Sequence, residues 1–440
     1  MQAFFPKFNE WLADIPDPRR EHPSKEYPLP LLFWLVMQMF VAQPGSRRQH
    51  DLDCATEPFL LNLMVLAEVR ERPERVPTAE TADDLLQKIA PVYIHELRRK
   101  MVHSLIRAKR LDECRWRGYW RLVADGTGLY TFNARHCPHC QTRRSAKTGA
   151  VTYYHNVLEF KLVSPQGFAI SIHSEFIVNQ DGETKQDSEL KAFYRAAPKI
   201  RQEWPRMAFI LLGDGIYANA NVMRLCETYG WAYCFSLKDN LPTLLREALE
   251  RLNNSNAVIH VPENRVRQEI RWAENLFHEN NRCHALQCDE TTPGNDGEPK
   301  HTRFLWITNL RPSIHRPVEM VREVGRQRWK IENQGFNAQK NGGYNLEHGY
   351  GVTGHAWQNY YLIIQIVHMI MQLVLRTDAI HKLPSRRELR GRDSPPSILQ
   401  VFKSVKNLVK RLAEAFRYFR PTWQSIAQFP PFQLRFLDTG

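Results

Sequence analysis

Residues 207–217 read MAFILLGDGIY, and this stretch decides the fold. Six residues, 207–212, form a short and wholly apolar run. Such a run is the pattern of a strand buried on both faces of a sheet. It ends at Asp214. Upstream, residues 119–124 form another strand that ends in LVADGTG, with Asp125 at its carboxyl end. Between the two lie strands at 153–163 and 168–178, separated by Ser164-Pro165-Gln166-Gly167, a turn sequence that predicts a hairpin. A helix is predicted over 185–200. Downstream, a helix over 219–229, a strand over 231–237 and a helix over 241–252 follow. Each Asp-Gly pair also has a plain reading as a turn.

Three strands with a hairpin, then helix, strand, helix, strand, helix is the order of an RNase H-like core. The predicted class is α/β: an RNase H-like mixed-sheet core with a mainly β insertion, a helical N-terminal domain and a helical C-terminal extension. The boundaries read as 1–117 for the helical N-terminal DNA-binding or accessory domain and 118–252 for the first part of the core. Residues 253–302 are a β-rich insertion, 303–376 the second part of the core, and 377–440 a basic helical extension. Within 1–117, Thr81 is expected to cap a helix, with Asp83 and Asp84 in its first turn. Arg98, Arg99, Lys100, Arg107, Lys109 and Arg110 line helical sequence, either as a solvated face or as a DNA-contacting one.

The chain has 440 residues, 43% of them hydrophobic, enough for a sizeable core. Lys and Arg number 60 against 47 Asp and Glu, a net charge of +13. An excess this large points to a polyanionic partner, nucleic acid being the commonest. Eight cysteines are too sparse and irregular for a disulfide scaffold and imply a reducing compartment. The first residues lack the pattern of a secretory signal. The apolar runs Leu29–Ala42 and 360–375 are shorter than the ~20 residues of a membrane span and read as core helices. The expected location is the cytoplasm, on a bacterial nucleoid, with no membrane association.

Glu332 lies in RWKIEN, on a helix opened by Pro317. On one straight helix it shares a face with Arg328, Val324 and Val321, so it points toward the core and needs a partner or a metal. Two-metal phosphoryl transfer requires about three carboxylates on rigid elements, because hard Mg²⁺ or Mn²⁺ prefers oxygen ligands. Asp125, Asp214 and Glu332 meet that requirement. The competing readings are two turns and a simple Arg328–Glu332 ion pair.

With ADGTG, LLGDGIYAN and RQRWKIENQGFNAQKNGGYNLEH in hand, the chain resembles bacterial insertion-sequence transposases of the DDE class. It is most similar to the group with a Y-x2-R-x3-E-x6-K motif and a β insertion in the core. The resemblance covers most of residues 1–375. It implies DNA transposition: metal-dependent strand cleavage at transposon ends and strand transfer into target DNA, with DNA as partner and a homodimer holding two ends. By position, Asp125, Asp214 and Glu332 would be the catalytic residues and hold two Mg²⁺ ions, and Arg328 would contact end phosphate. Gly325 stands where the group has tyrosine. Gln339 stands where it has lysine, with Lys340 one residue on. Alternatives are a domesticated DNA-binding protein of the same fold with weakened chemistry, or a purely hydrolytic nuclease.

Further DNA contacts are expected from Trp272 and Trp329, which can stack on an unpaired base. In the stretch 382–420, eleven basic residues face three acidic ones. Residues 397–420 read as an amphipathic helix with Lys403, Lys406, Lys410 and Arg417 in a stripe that suits a phosphate backbone. Cys137 and Cys140 have C-x2-C spacing, with His155 on the next strand, so the three are candidate ligands of a structural Zn²⁺. The alternative is a reduced polar loop. Cys283, His284 and Cys288 lie in the insertion.

Overall fold

A computed structural model describes residues 4–19, 26–135, 137, 139–179, 186–261, 266–293, 298–376 and 402–420. The chain forms two compact units. One comprises Met1–Arg110, Leu129–His155 and Phe336–Gly440, the other Leu111–Gly128 and Asn156–Gly335.

The first unit is mainly helical. Leu29–Ala42 forms one helix, as read from the sequence, and every side chain from Leu31 to Phe40 is buried. A helix apolar on all sides belongs inside. The second such helix, Ala356–Leu375, is 20 residues long, more than the sequence reading allowed. Its length and composition would let it cross a membrane. In the fold, however, all its residues but Gln358, Val374 and Leu375 are buried. Three of its polar side chains bond to groups elsewhere in the unit. Asn359 Nδ2 donates to the Leu86 and Ile89 carbonyls at 2.7 and 2.8 Å, which would otherwise be orphaned at a helix end. Gln365 and His368 bond to Gln339.

The structure differs from the local expectations at three places. Thr78, not Thr81, caps the helix Ala79–Leu86, accepting from the Thr81 N–H. Asp83 is therefore in the helix body, paired with Arg47 at 2.9 Å. The basic residues around position 100 do not form one face. Arg98 is buried against His95, Arg99 pairs with Glu96, Lys100 pairs with Asp14, and Lys109 lies beyond the end of the helix Pro91–Arg107. The C-terminal helix spans Val405–Tyr418 and buries Leu408, Val409 and Ala413. Ser404 is its cap, so Lys403 precedes it, and Arg417 pairs with Asp53 at 2.8 Å. Lys406 and Lys410 alone remain of the stripe as exposed helical lysines. Residues 397–401 lie outside the described residues.

The strands, in chain order, are β1 (Arg115–Trp116), β2 (Tyr119–Phe132), β3 (Gln141–Arg144), β4 (Val151–Val163), β5 (Ala169–Ile177), β6 (Phe209–Gly213), β7 (Ala232–Ser236), β8 (Val258–His260), β9 (Arg267–His278), β10 (Asn281–Pro293) and β11 (Pro299–Thr308). The second unit is built on a mixed sheet in the order β4-β2-β6-β7-β11-β10-β9-β8, with β5 on β4. β4 and β5 form the predicted hairpin, and Ser164 Oγ accepts from the Phe168 N–H in its turn. β2, β6 and β7 are parallel. Parallel neighbours need crossovers, which the helices Glu189–Glu203 and Ala220–Tyr229 supply. The insertion strands β8, β9 and β10 extend this same sheet through β11, which pairs antiparallel with β7.

Two further differences matter for the site. β2 does not end at Asp125 but continues to Phe132, so Asp125-Gly126 is not a turn. The segment after Pro317 is not one helix. It is α-helical over Pro317–Glu323, breaks at Val324, tightens to a 3₁₀ turn over Gly325–Arg328 and widens to a π-helix over Ile331–Phe336. Arg121, fully buried on β2, anchors the break. Its guanidinium donates to the Glu323 carbonyl and pairs with the Glu323 carboxylate at 2.5 Å.

Gly325 has a packing reason. A Cβ there would stand 2.8 Å from the Trp306 ring on β11. A tyrosine at this position has no room unless Trp306 moves. We expect Gly325→Ala to destabilise the protein by roughly 1–3 kcal/mol, the usual cost of overpacking, measured by urea denaturation. Trp306→Leu should relieve much of that loss; an additive double variant would count against the clash.

Candidate metal-binding carboxylate site

The β2–β6 register pairs Val123 with Leu212. Continued two residues, it brings Asp125 level with Asp214, on strands about 4.8 Å apart. Asp125 is inside β2, where the sheet holds its backbone. Asp214 follows β6 and caps a 3₁₀ turn, its Oδ1 accepting from the Ile216 N–H at 2.9 Å. Asp214 thus stands at a turn, and Asp125 does not. Glu332 reaches the site from the first turn of the π-helical segment. A π-turn inside a helix is often tied to function, because it displaces side chains from the regular helical face.

Electrostatics tie these residues together. Burial pushes the Asp125 carboxyl up to about 7, and the negative charges of Glu189, Asp214 and Glu332 push in the same direction. Arg328, with Nη1 3.6 Å from Asp125 Oδ2, opposes them. Four carboxyl groups outnumber the nearby cations, Arg328 at Asp125 and Lys238 beside Asp214, a deficit of positive charge that a metal cation would fill.

Glu189 is the member that sequence reading missed. It sits in the first turn of the helix Glu189–Glu203, capped by Ser188. Its Oε1 accepts from the buried Tyr217 hydroxyl at 2.6 Å. Burial, followed by the Asp214 charge, raises its pKa, while the Tyr217 and Gly126 hydrogen bonds lower it. A Cβ on Gly126 would lie 2.5 Å from Glu189 Oε2, so glycine at 126 makes room for the carboxylate. The available signal was that glycine: inside a strand it often marks a close approach. Lys238, two residues past β7, also went unnoticed. Its stem would be 3.3 Å from a Cβ on Gly215, beside Asp214.

The remaining residues read from the sequence lie as follows. Arg328 is stacked over Trp329, its guanidinium carbon 4.1 Å from the ring centroid, and Trp329 is 45% exposed. Trp272 is half-buried on β9, opposite Leu286. Gln339 is buried, and Lys340 pairs with Glu347 at 2.9 Å. Lys403, Lys406 and Lys410 are exposed. Cys283, His284 and Cys288 are buried along β10. Among the described residues, only Cys137, Cys140 and His155 form a group of three with all ligand atoms within 4.8 Å. The carboxylate oxygens are therefore spread more widely than that.

Compared with known proteins, the chain matches no family model, and no curated protein matches it.

Proposed function

We propose that the chain is a DDE-class DNA transposase with an RNase H-like core, cutting and joining DNA strands at the carboxylate site of the second unit. The observation that carries this reading is the approach of Asp214 and Glu332, each from its own element, to the buried Asp125 on β2, whose charge both of them oppose. The strand order β5-β4-β2-β6-β7, with its hairpin and parallel centre, supports the RNase H-like reading.

The donor set fits Mg²⁺ or Mn²⁺, being all oxygen and short of positive charge. Its spread suits two ions. With ions about 3.5–4 Å apart and Mg–O distances near 2.0–2.1 Å, ligand oxygens need not all lie close together. When bound, two such ions relieve charge on the attacking and leaving oxygens of an in-line displacement. Asp125, Asp214 and Glu332 would hold them, with Glu189 beside them.

The chain's own residues do the rest. The sheet fixes Asp125, and the Ile216 N–H fixes Asp214. Tyr217 and the Gly126 N–H orient Glu189. Arg328 offsets charge at Asp125 in the free protein and is placed to bind a phosphate of the transposon end. The exposed face of Trp329 offers a surface for an unpaired base, and the ammonium of Lys238 a charge for the DNA backbone. No carboxylate forms a covalent intermediate; each positions and neutralises.

The test is incubation of the full chain and Mg²⁺ with labelled duplex carrying the inverted repeats that flank its gene, plus target plasmid. Nicked ends and joined products are expected. Nicking without joining would favour a hydrolytic nuclease, and binding without nicking a DNA-binding protein. Glu189→Gln should raise the Mg²⁺ concentration needed for half-maximal cleavage by about tenfold while preserving activity at saturation. An unchanged Mg²⁺ requirement would remove Glu189 from the site.

A further inference from the structure

We propose that Cys137, Cys140 and His155, in the first unit, bind one structural Zn²⁺. Cys137 Sγ lies 3.5 Å from Cys140 Sγ and 3.3 Å from His155 Nε2, and Cys140 Sγ lies 3.7 Å from the same nitrogen. A tetrahedral ion with Zn–S near 2.3 Å and Zn–N near 2.0–2.1 Å sets ligand separations of about 3.8 Å for S···S and about 3.6 Å for S···N. The three separations thus match one face of a zinc tetrahedron. They are far too long for a disulfide, whose sulfurs lie about 2.05 Å apart.

The ligands are held before any ion arrives. His155 is fully buried on β4, its ring stacked on Trp357 with centroids 4.3 Å apart and planes at 23°. Tyr130 packs against it edge-on. Those contacts fix the ring plane with Nε2 toward the sulfurs. Cys140 is fully buried and Cys137 partly so. Both come from the loop between β2 and β3, which is polar and exposed around them. Such a loop cannot offset its own ordering entropy by apolar burial, and a metal clamp can. Soft thiolate and imidazole donors select Zn²⁺, whereas the carboxylate site selects hard ions, so the two sites sort metals by chemistry. His139, exposed in the same loop, is of the right type for the fourth ligand.

The experiment is metal analysis of the full chain, purified under reducing conditions without affinity metals. One zinc per chain is expected. Replacing zinc with Co²⁺ should give the thiolate-to-cobalt charge-transfer absorption of a two-sulfur site. Chelation should lower the melting temperature, and Zn²⁺ but not Mg²⁺ should restore it. Cys137→Ser with Cys140→Ser should reduce zinc to background, while Cys283→Ser should keep it. Substoichiometric zinc in wild-type protein from zinc-supplemented culture would overturn the proposal, whatever the variants do. So would full zinc retention by the double variant, or a Cys137–Cys140 disulfide in reductant-free protein. Loss of zinc on His139→Ala would support the site and identify its fourth ligand.

Discussion

Asp125→Ala, Asp214→Ala and Glu332→Ala should each lower the rate of Mg²⁺-dependent end cleavage on the order of a thousandfold or more, because in the proposed transposase each removes a fixed charge that would hold the metal ions. DNA binding, which rests mainly on Lys and Arg contacts with phosphate, should change only a few-fold. The three losses should not add. Residues that act as one unit lose nearly everything with the first removal, so Asp125→Ala with Asp214→Ala should be little worse than either alone. Asp289→Asn is the control: this carboxylate sits on β10, paired with Arg303. If any one of the three alanine variants cleaves at the wild-type rate, that residue leaves the catalytic set. If all three do, the transposase reading fails.

The second large effect is on stability. The Asp125 carboxyl is pushed from 3.8 to about 7, first by burial and then by Glu189, Asp214 and Glu332. A group whose folded pKa is raised stabilises the fold when protonated. That contribution is complete below the unfolded pKa and is lost as pH rises through about 7. In metal-free protein above pH 7 the penalty is at its largest, with an upper bound of about 4 kcal/mol for this shift. Asp125→Asn keeps the shape and removes the charge. In EDTA at pH 8 the variant should melt several degrees above wild type, and the gap should close toward pH 4. With Mg²⁺ the order should invert or narrow, since only wild type retains the full ligand set. At pH 7 binding should release about half a proton from Asp125, detectable by calorimetry in buffers of different ionisation enthalpy. A variant no more stable than wild type at pH 8 would mean that water, not protein, surrounds Asp125.

Much of the framework was legible in local sequence. The helix Leu29–Ala42, the β4–β5 hairpin and strand β6 each carry their signal in a few contiguous residues. So does the helix started by Asn219, whose side chain accepts from the Val222 N–H. Apolar runs, caps and turn residues act over one or two turns of chain, the range that periodicity reports. Asp125 and Asp214 stood out for the same reason, as acidic residues at the end of strand-forming sequence.

What escaped was set by partners distant in sequence. β2 runs through Asp125-Gly126 because sheet neighbours satisfy its backbone and Glu189 fills the space above Gly126, so a favoured turn pair becomes extended. Gly325 departs from the transposase motif because Trp306, on β11, occupies the space of a side chain. Arg98 and Arg417 read as surface cations and instead pack against His95 and pair with Asp53. The sequence by itself determined the order of the strands and helices of the core, the α/β class and the place of Asp214 at the end of a strand, since these follow from local propensity and hydrophobic period. Tertiary structure alone decided that a π-turn carries Glu332, that Glu189 joins the cluster and that Asp125 is desolvated. Those properties depend on register, burial and charge brought together from across the fold, and no window along the chain contains them.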